Sequence, residues 1–147
     1  MTMQLRLLRF LQEKTFYPVG SDKELKVDVR VVAATNVDLK EKVKSGNFRE
    51  DLYFRLLIID IHLPPLRDRE GDIPLLTSHF LKQFAEENGK EIDGLTPEAA
   101  EVLYHHPWPG NIRELRNVIE RMVVLARNGR LGTRDLPPEL REGAPLM

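Results

Sequence analysis

The sequence predicts an α/β unit followed by a small bundle of helices. Two apolar runs rich in β-branched residues, Val27–Ala34 and Leu56–Ile61, have the pattern of strands in a covered parallel sheet. From Asp72 onward the apolar residues recur instead at the spacing of amphipathic helices. A proline-rich turn separates the two patterns. We therefore expect an α/β piece over 1–72, a helical bundle over 73–138 and a linker or tail over 139–147.

Composition limits the classes of protein to which the chain can belong. With 41% hydrophobic and 31% charged residues, its 147 residues fit one folded domain or two small subdomains. The sequence has no cysteine, which excludes disulfides and thiolate metal sites. Its net charge of −1 lacks the basic excess typical of a nucleic-acid binder. No apolar run approaches the roughly 20 residues of a membrane span, and no signal peptide is evident, so we expect a cytoplasmic protein without membrane contact.

The first unit should begin with a helix and carry a polar pair at the end of its first strand. Residues Gln4–Glu13 place three leucines on one stripe, as an amphipathic helix does. Thr35 and Asn36 follow the first predicted strand, at the edge where open α/β sheets bind ligands. Asn36, or alternatively Thr35, could orient a water or a phosphate there. Asn36 could equally cap a helix that starts at Val37, and both roles can hold at once.

The second unit should contain three longer helices with recognisable ends. The first covers Pro74–Glu87 and stops near Asn88 and Gly89. Thr96 has the features of an N-cap for the second, which must end before Pro107. Asn111 is expected to cap the third, with Glu114 completing a capping box, and Asn128-Gly129 to end it.

Arg113 falls in the first turn of the third helix, where the helix dipole is positive and disfavours a cation. Its presence is explained if an anion binds between the guanidinium and the helix N-terminus. Alternatively, Arg113 points into solvent or pairs with Glu114 or Glu98.

Arg49 and Arg55 flank a short amphipathic turn that leads into the second predicted strand. Paired arginines at a subunit edge can stabilise charge on a phosphoryl group bound by a neighbouring subunit. The alternative is a solvated helix face with local pairs, for example from Arg49 to Glu50 or Asp51. No metal site is expected, since the adjacent His105 and His106 face different sides of any helix or strand.

Five runs of the sequence resemble those of the sigma-54-dependent activators, also called bacterial enhancer-binding proteins, which are AAA+ ATPases. The runs occur in the order of the family and extend from near Met3 to about Leu140. They are Leu7–Glu13 (LLRFLQE), Val32–Asn36 (VAATN), Phe48–Leu56 (FREDLYFRL), Leu63–Arg69 (LPPLRDR) and Trp108–Leu115 (WPGNIREL).

The resemblance implies the C-terminal part of an AAA+ α/β subdomain with a parallel sheet, followed by a helical lid. Asn36 matches the sensor I residue that reads the γ-phosphate, and Arg113 matches sensor II, the lid arginine that contacts ATP phosphate. Arg49 and Arg55 match arginine fingers that act in trans on the ATP of the adjacent subunit. In the family, a ring of six or seven subunits uses ATP and Mg²⁺ to remodel sigma-54 RNA polymerase, and DNA is bound by a separate domain.

The resemblance places the Walker A loop, the sigma-54-contacting loop and the Walker B acids before the region matched here. We therefore expect this chain alone to hold no cofactor and not to hydrolyse ATP. In the longer protein we expect nucleotide to draw the lid inward about a hinge near Pro64–Asp72. The alternatives are a fragment of another AAA+ ATPase, or a helix-turn-helix DNA-binding module over Pro97–Asn128, whose second helix mixes glutamates with its arginines.

Overall fold

The computed structural model describes residues 2–69, 71–127 and 129–141. The chain divides into two compact units, Met1–His62 and Leu63–Met147. None of the helices in the described ranges is long and apolar enough to cross a bilayer.

In its described residues, the first unit contains three helices and a short antiparallel hairpin. Leu8 and Leu11 of the first helix pack with the fully buried Leu52 of the third, so two leucines of the predicted stripe face inward. The third, Leu5, is 46% exposed. The hairpin pairs Thr15 with Lys26 and Phe16 with Leu25. The elements are α1 (Thr2–Glu13), β1 (Thr15–Phe16), β2 (Leu25–Lys26), α2 (Leu39–Lys44) and α3 (Glu50–Leu56).

The two strands predicted for this unit are not formed in its described residues. Val27–Ala34 follows β2 as chain without a strand ladder, and Leu56 is the last residue of α3 rather than the first of a strand. Val32 is 86% exposed and Ile58 is 77% exposed. A strand depends on a neighbour that accepts and donates its backbone hydrogen bonds. In the first run only the Val27 N–H has such a partner among the described residues, the Lys14 carbonyl at 2.8 Å, and no ladder continues beyond it. The apolar pattern marks residues suited to a covered sheet, but it does not supply the partner strands.

The second unit is a helical bundle with a small parallel sheet. The sheet pairs Ile92 with Gly129 and Leu95 with Leu131, and it was not predicted because both strands are short and the first contains Asp93 and Gly94. The elements are a 3₁₀ turn (Leu66–Asp68), α4 (Asp72–Glu87), β3 (Ile92–Leu95), α5 (Pro97–His105), α6 (Asn111–Leu125), β4 (Gly129–Leu131), a second 3₁₀ turn (Thr133–Asp135) and α7 (Pro138–Arg141).

Packing of α4 against α6 forms most of the core of this unit. Trp108 lies at the centre of the turn before α6, fully buried, with its indole Nε1 donating to the Leu103 carbonyl at 2.9 Å. That hydrogen bond satisfies the polar atom that burial would otherwise leave unpaired. The buried residues are Leu66, Ile73, Phe80, Leu81, Phe84, Leu103, Trp108, Leu115, Val118, Ile119, Met122, Val123, Ala126, Leu131, Leu136 and Leu140.

Most of the predicted helix ends in this unit are confirmed. α4 ends at Glu87 with Asn88 as its C-cap, and the Thr96 hydroxyl accepts from the Ala99 N–H at the start of α5. α5 ends at His105, before Pro107. α6 ends at Leu125, while Asn128, which was predicted to end it, lies outside the described residues. Of the linker or tail predicted over 139–147, residues 139–141 belong to α7 and the rest lie outside the described residues.

The predicted capping box at Asn111 is wrong, because the N-cap of α6 is Gly110. Glu114 does accept a hydrogen bond from the backbone at the helix start, from the Gly110 N–H at 2.7 Å. The Asn111 side chain does not cap the helix, because its Oδ1 accepts from the Leu66 N–H at 2.8 Å. Its backbone has a φ of +55°, a left-handed conformation that asparagine tolerates better than most residues.

Candidate functional site: four polar residues on two units

Arg113 lies in the first turn of α6 and has an exposed side chain. It forms no hydrogen bond or ion pair with any residue in the described ranges. Both acidic partners considered for it bind elsewhere: Glu114 accepts from Gly110, and the pKa of Glu98 is lowered by hydrogen bonds from its own backbone N–H and from Thr96. A cation without a counter-charge therefore stands at the positive end of the helix dipole.

An open groove of about 500 Å³ runs beside Arg113. Its walls are the first three turns of α6 and residues 137–140. A second arginine on this groove, Arg121, is bound to Glu139 at 3.4 Å, and Arg116 on the same helix is bound to Glu120 at 3.3 Å. Arg113 therefore differs from these two neighbours in having its guanidinium free to meet an anion from outside the described residues.

Arg49 is the N-cap residue of α3 and is held by a two-point contact with Asp51. Its Nε and a terminal nitrogen donate to the two oxygens of Asp51 at 3.0 and 2.7 Å. The hydrogen bond to Asp51 raises the pKa of Arg49, and the same bond lowers the pKa of Asp51 below its ordinary value. This is the local pairing that the sequence allowed as an alternative to a phosphate contact.

Arg55 lies in the last turn of the same helix and is exposed. It donates one long hydrogen bond, 3.4 Å, to the carbonyl of Leu11. Six positions separate it from Arg49, which at 3.6 residues per turn places the two side chains on different sides of α3. Arg55 is thus the more weakly held of the two cations.

Asn36 lies on an exposed bend after the Val27–Ala34 run. The interpretation of Asn36 as a helix cap is wrong, because α2 begins at Leu39 and its cap is Asp38, whose carboxylate accepts from Lys40 and Glu41. No hydrogen bond joins Asn36 to Arg49 or Arg55 in the described part of the first unit. Its amide is therefore available to a ligand.

Comparison with known protein families matches nearly the whole chain. The Sigma-54 interaction domain family matches residues 1–62, and the AAA+ ATPase lid domain family matches residues 67–146. The chain belongs to the sigma-54-dependent activator family of AAA+ proteins. Its fold class, the C-terminal part of an AAA+ α/β subdomain followed by a helical lid, is confirmed, and this family is favoured over another AAA+ protein or a separate DNA-binding module.

Individual sigma-54-family relatives agree with this assignment. The transcriptional regulatory protein ZraR of Salmonella typhimurium is 53% identical over 92% of the chain, and the regulatory protein AtoC of Escherichia coli is 50% identical over 97%. A crystal structure of NtrX from Brucella abortus in complex with ATP superposes with a TM-score of 0.87, at 37% identity, over 99% of the chain. The chain spans 31% of the length of ZraR and AtoC and 34% of that NtrX chain.

Two side chains with clear roles in this sigma-54-family lid were missed by sequence reasoning. Asn111 holds the backbone of Leu66, 45 residues away, and no local pattern signals so distant a partner. Lys90 donates to three carbonyls at the end of α6, those of Val123, Val124 and Ala126. Its place directly after the α4 stop signal gave no indication of a contact with α6.

Proposed function

We propose that this chain is the nucleotide-sensing and lid part of an AAA+ ATPase that remodels sigma-54 RNA polymerase. The match of residues 1–62 to the Sigma-54 interaction domain supports the polymerase as partner, and the NtrX complex with ATP supports an adenine nucleotide as ligand of the longer protein. The observation that carries the proposal is Arg113, an unpaired cation in the first turn of α6, beside an open groove.

Arg113 acts as sensor II by contacting ATP phosphate. A helix N-terminus carries roughly half a positive charge, so a cation there is disfavoured by about 0.3–1 kcal/mol until an anion arrives. Phosphate converts this repulsion into two favourable contacts, one with the guanidinium and one with the helix end. The residues present thus fit the phosphate part of ATP. The remaining phosphate contacts and the Mg²⁺ ligands come from a part of the protein outside this chain.

Replacing Arg113 tests this function in the longer protein. We expect Arg113→Ala to weaken ATP binding by roughly 10- to 100-fold, the range for loss of a charged hydrogen bond. It should also reduce the protection against hydrogen exchange that a non-hydrolysable ATP analogue confers on residues 75–84 of α4. Arg127→Ala, an exposed arginine after the end of α6, is the control. Equal affinity and equal protection in the wild type and Arg113→Ala would make Arg113 a solvated bystander.

Arg49 and Arg55 act in trans, on ATP bound by the neighbouring subunit of a ring of six or seven. Arg55 supports this role by its exposure and by its single 3.4 Å hydrogen bond. Arg49 supports it less directly, since it must exchange Asp51 for phosphate. Asn36, on its exposed bend, acts as sensor I by orienting the γ-phosphate or the attacking water.

Mixing experiments test action in trans. Because arginine fingers contribute roughly 10³–10⁵ in rate, Arg55→Ala in the longer protein should abolish turnover while that subunit still binds ATP. Subunits with a disabled phosphate cradle are inactive because they cannot bind ATP, but they keep an intact arginine finger. Mixed rings contain interfaces that join an intact cradle to an intact finger, so phosphate release should partly return. Mixtures as inactive as either variant alone would contradict action in trans, and the same design applies to Arg49→Ala.

A further inference from the structure

We propose that Asn111 is a positioning residue for Arg113: it ties the turn at Leu66–Arg69 to the start of α6, so that the two move as one piece. The inference rests on the proposed function, because it takes Arg113 to be a phosphate contact. It goes beyond that function by assigning a role to Asn111 and by placing the flexing point of the lid.

The tie is one hydrogen bond between distant parts of the chain. Asn111 Oδ1 accepts from the Leu66 N–H at 2.8 Å, and Asn111 Nδ2 donates to the Pro109 carbonyl at 3.3 Å. Pro64 and Pro65 have no N–H, so Leu66 provides the first backbone donor after them. Asn111 therefore binds the first backbone N–H that follows the two prolines.

From Leu66 onward the chain is continuous with the lid. Asp68 donates to the Pro65 carbonyl, Arg69 to that of Leu66, and Asp72 to that of Arg69, which leads directly into α4. The Leu66 side chain is 1% exposed and belongs to the lid core. The Leu66–Arg69 turn is thus fixed to the lid by both its backbone and its side chain.

Before Pro65 these restraints are missing. Residues 59–64 make no hydrogen bond with any part of the chain that the structure describes, and Ile61 and Leu63 are 76% and 80% exposed. The division between the two units falls between His62 and Leu63. The flexing point therefore lies in residues 62–64, and the segment from Pro65 to Asp72 moves with the lid.

The side chain at position 111 must meet two requirements, and substitutions separate them. It must tolerate a φ of +55°, and it must present an acceptor oxygen to Leu66. Asn111→Gly keeps the backbone conformation and removes the acceptor. Asn111→Asp keeps the acceptor and tolerates the conformation, so it should rescue the tie. Asn117→Ala, in an exposed position two turns further along α6, is a matched control.

The first arm of the test measures amide exchange in the full 147-residue chain by NMR. We expect the Leu66 amide to exchange on the order of tenfold faster in Asn111→Gly, and at the wild-type rate in Asn111→Asp and Asn117→Ala. The amide of Ile119, in the core of α6, reports global stability. Equal acceleration at Leu66 and Ile119 would overturn the tie, because Asn111 would then stabilise the lid only in general.

The second arm measures ATP affinity in the longer protein. We expect Asn111→Gly to weaken binding about 3- to 10-fold and Asn111→Asp to restore it. The double variant with Arg113→Ala should bind no more weakly than Arg113→Ala alone, since Asn111 acts through Arg113. Additive losses would overturn that link. If Arg113→Ala alone has no effect, the proposed function fails and the nucleotide link fails with it, whereas Leu66 exchange still decides whether the tie exists.

Discussion

Arg49 is bound to Asp51 in this chain, whereas its proposed role as an arginine finger requires it to bind phosphate. One edge of its guanidinium, Nε and a terminal nitrogen, donates to the Asp51 carboxylate. The pair is partly solvated, with side chains 34% and 44% exposed, so exchange of one anion for another is feasible. In the proposed finger role, phosphate replaces Asp51 as the anion that Arg49 binds.

Removing Arg49 should raise the pKa of Asp51. The hydrogen bond from Arg49 is the main cause of the lowered pKa, so in Arg49→Ala it should return toward the ordinary aspartate value. Because the pKa of Asp51 is lower in the folded than in the unfolded protein, the pair with Arg49 stabilises the folded state fully above the unfolded-state pKa of Asp51, about 4. This stabilisation is lost as the pH falls through the folded-state pKa of Asp51. Carbon-13 NMR titration of Asp51 checks this. Arg55→Ala is the control, and an unchanged Asp51 pKa in Arg49→Ala would contradict the pairing.

The start of α6 shows how far sequence reasoning reaches at the scale of residues. The sequence predicted that Glu114 binds the backbone at the start of α6, but it placed the donor at Asn111, one residue after the Gly110 N–H that Glu114 binds. The Asn111 contact was not predicted, because capping rules consider only neighbouring backbone groups, whereas Leu66 lies 45 residues away. The position of Arg113 in the first turn of α6 followed from local patterns, whereas Arg49 and Arg55 were expected to flank a short turn and instead lie at the two ends of α3. Their roles depend on groups beyond this chain.

At the scale of elements, the end of α6 depends on one lysine from another part of the lid. Lys90 Nζ donates to the carbonyls of Val123, Val124 and Ala126 at 2.9, 2.6 and 2.7 Å. The last carbonyls of a helix have no partner within it and carry a partial negative charge, so an ammonium group stabilises them in both respects. The backbone N–H of Lys90 also donates to the Ala85 carbonyl in the last turn of α4, so this residue joins the ends of α4 and α6.

Lys90→Met should lower the free energy of unfolding of the lid by about 1–2 kcal/mol. Methionine keeps most of the apolar length of the side chain but none of the three hydrogen bonds to carbonyls. Lys82→Met, at an exposed position of α4, should change stability by less than about 0.5 kcal/mol. Urea unfolding of the two variants provides the comparison. A similar loss in both would mean that the lysine charge matters only through general electrostatics.

Helices of this chain were easier to predict than strands. α4 and α5 carry their own stop and start signals, such as Asn88 and Thr96, and close their hydrogen bonds internally. A strand pairs only with a neighbour, so the apolar pattern at Val27–Ala34 could not by itself produce a ladder. β3 was not predicted because its sequence lacks a strand pattern, although a partner strand is present. It pairs with β4 although its sequence, IDGL, has little strand character.

For the whole molecule, the two units differ greatly in how much apolar surface they bury. Among the described residues, the lid core contains sixteen buried side chains, whereas the cluster in the first unit contains three. The first unit also leaves Val32, Ile58 and Ile59 more than three-quarters exposed. Apolar burial supplies most of the driving force for folding, so the lid should be the stable part and the first unit the marginal part.

We expect residues 63–147 to fold without the first unit. Trp108 is the single tryptophan of the chain and is buried in the lid, so its fluorescence reports lid unfolding alone. In urea, the fluorescence midpoint of residues 63–147 should match that of the full chain, while far-UV circular dichroism of the full chain should begin to fall at lower urea, as α1 and α3 are lost first. Leu115→Ala, which opens a cavity in the lid core, should lower the free energy of unfolding reported by this fluorescence by about 2–5 kcal/mol, both in residues 63–147 and in the full chain. Coincident fluorescence and dichroism transitions in the full chain, together with an unfolded lid fragment, would mean that the two units form one cooperative structure and that the lid depends on the first unit for its fold.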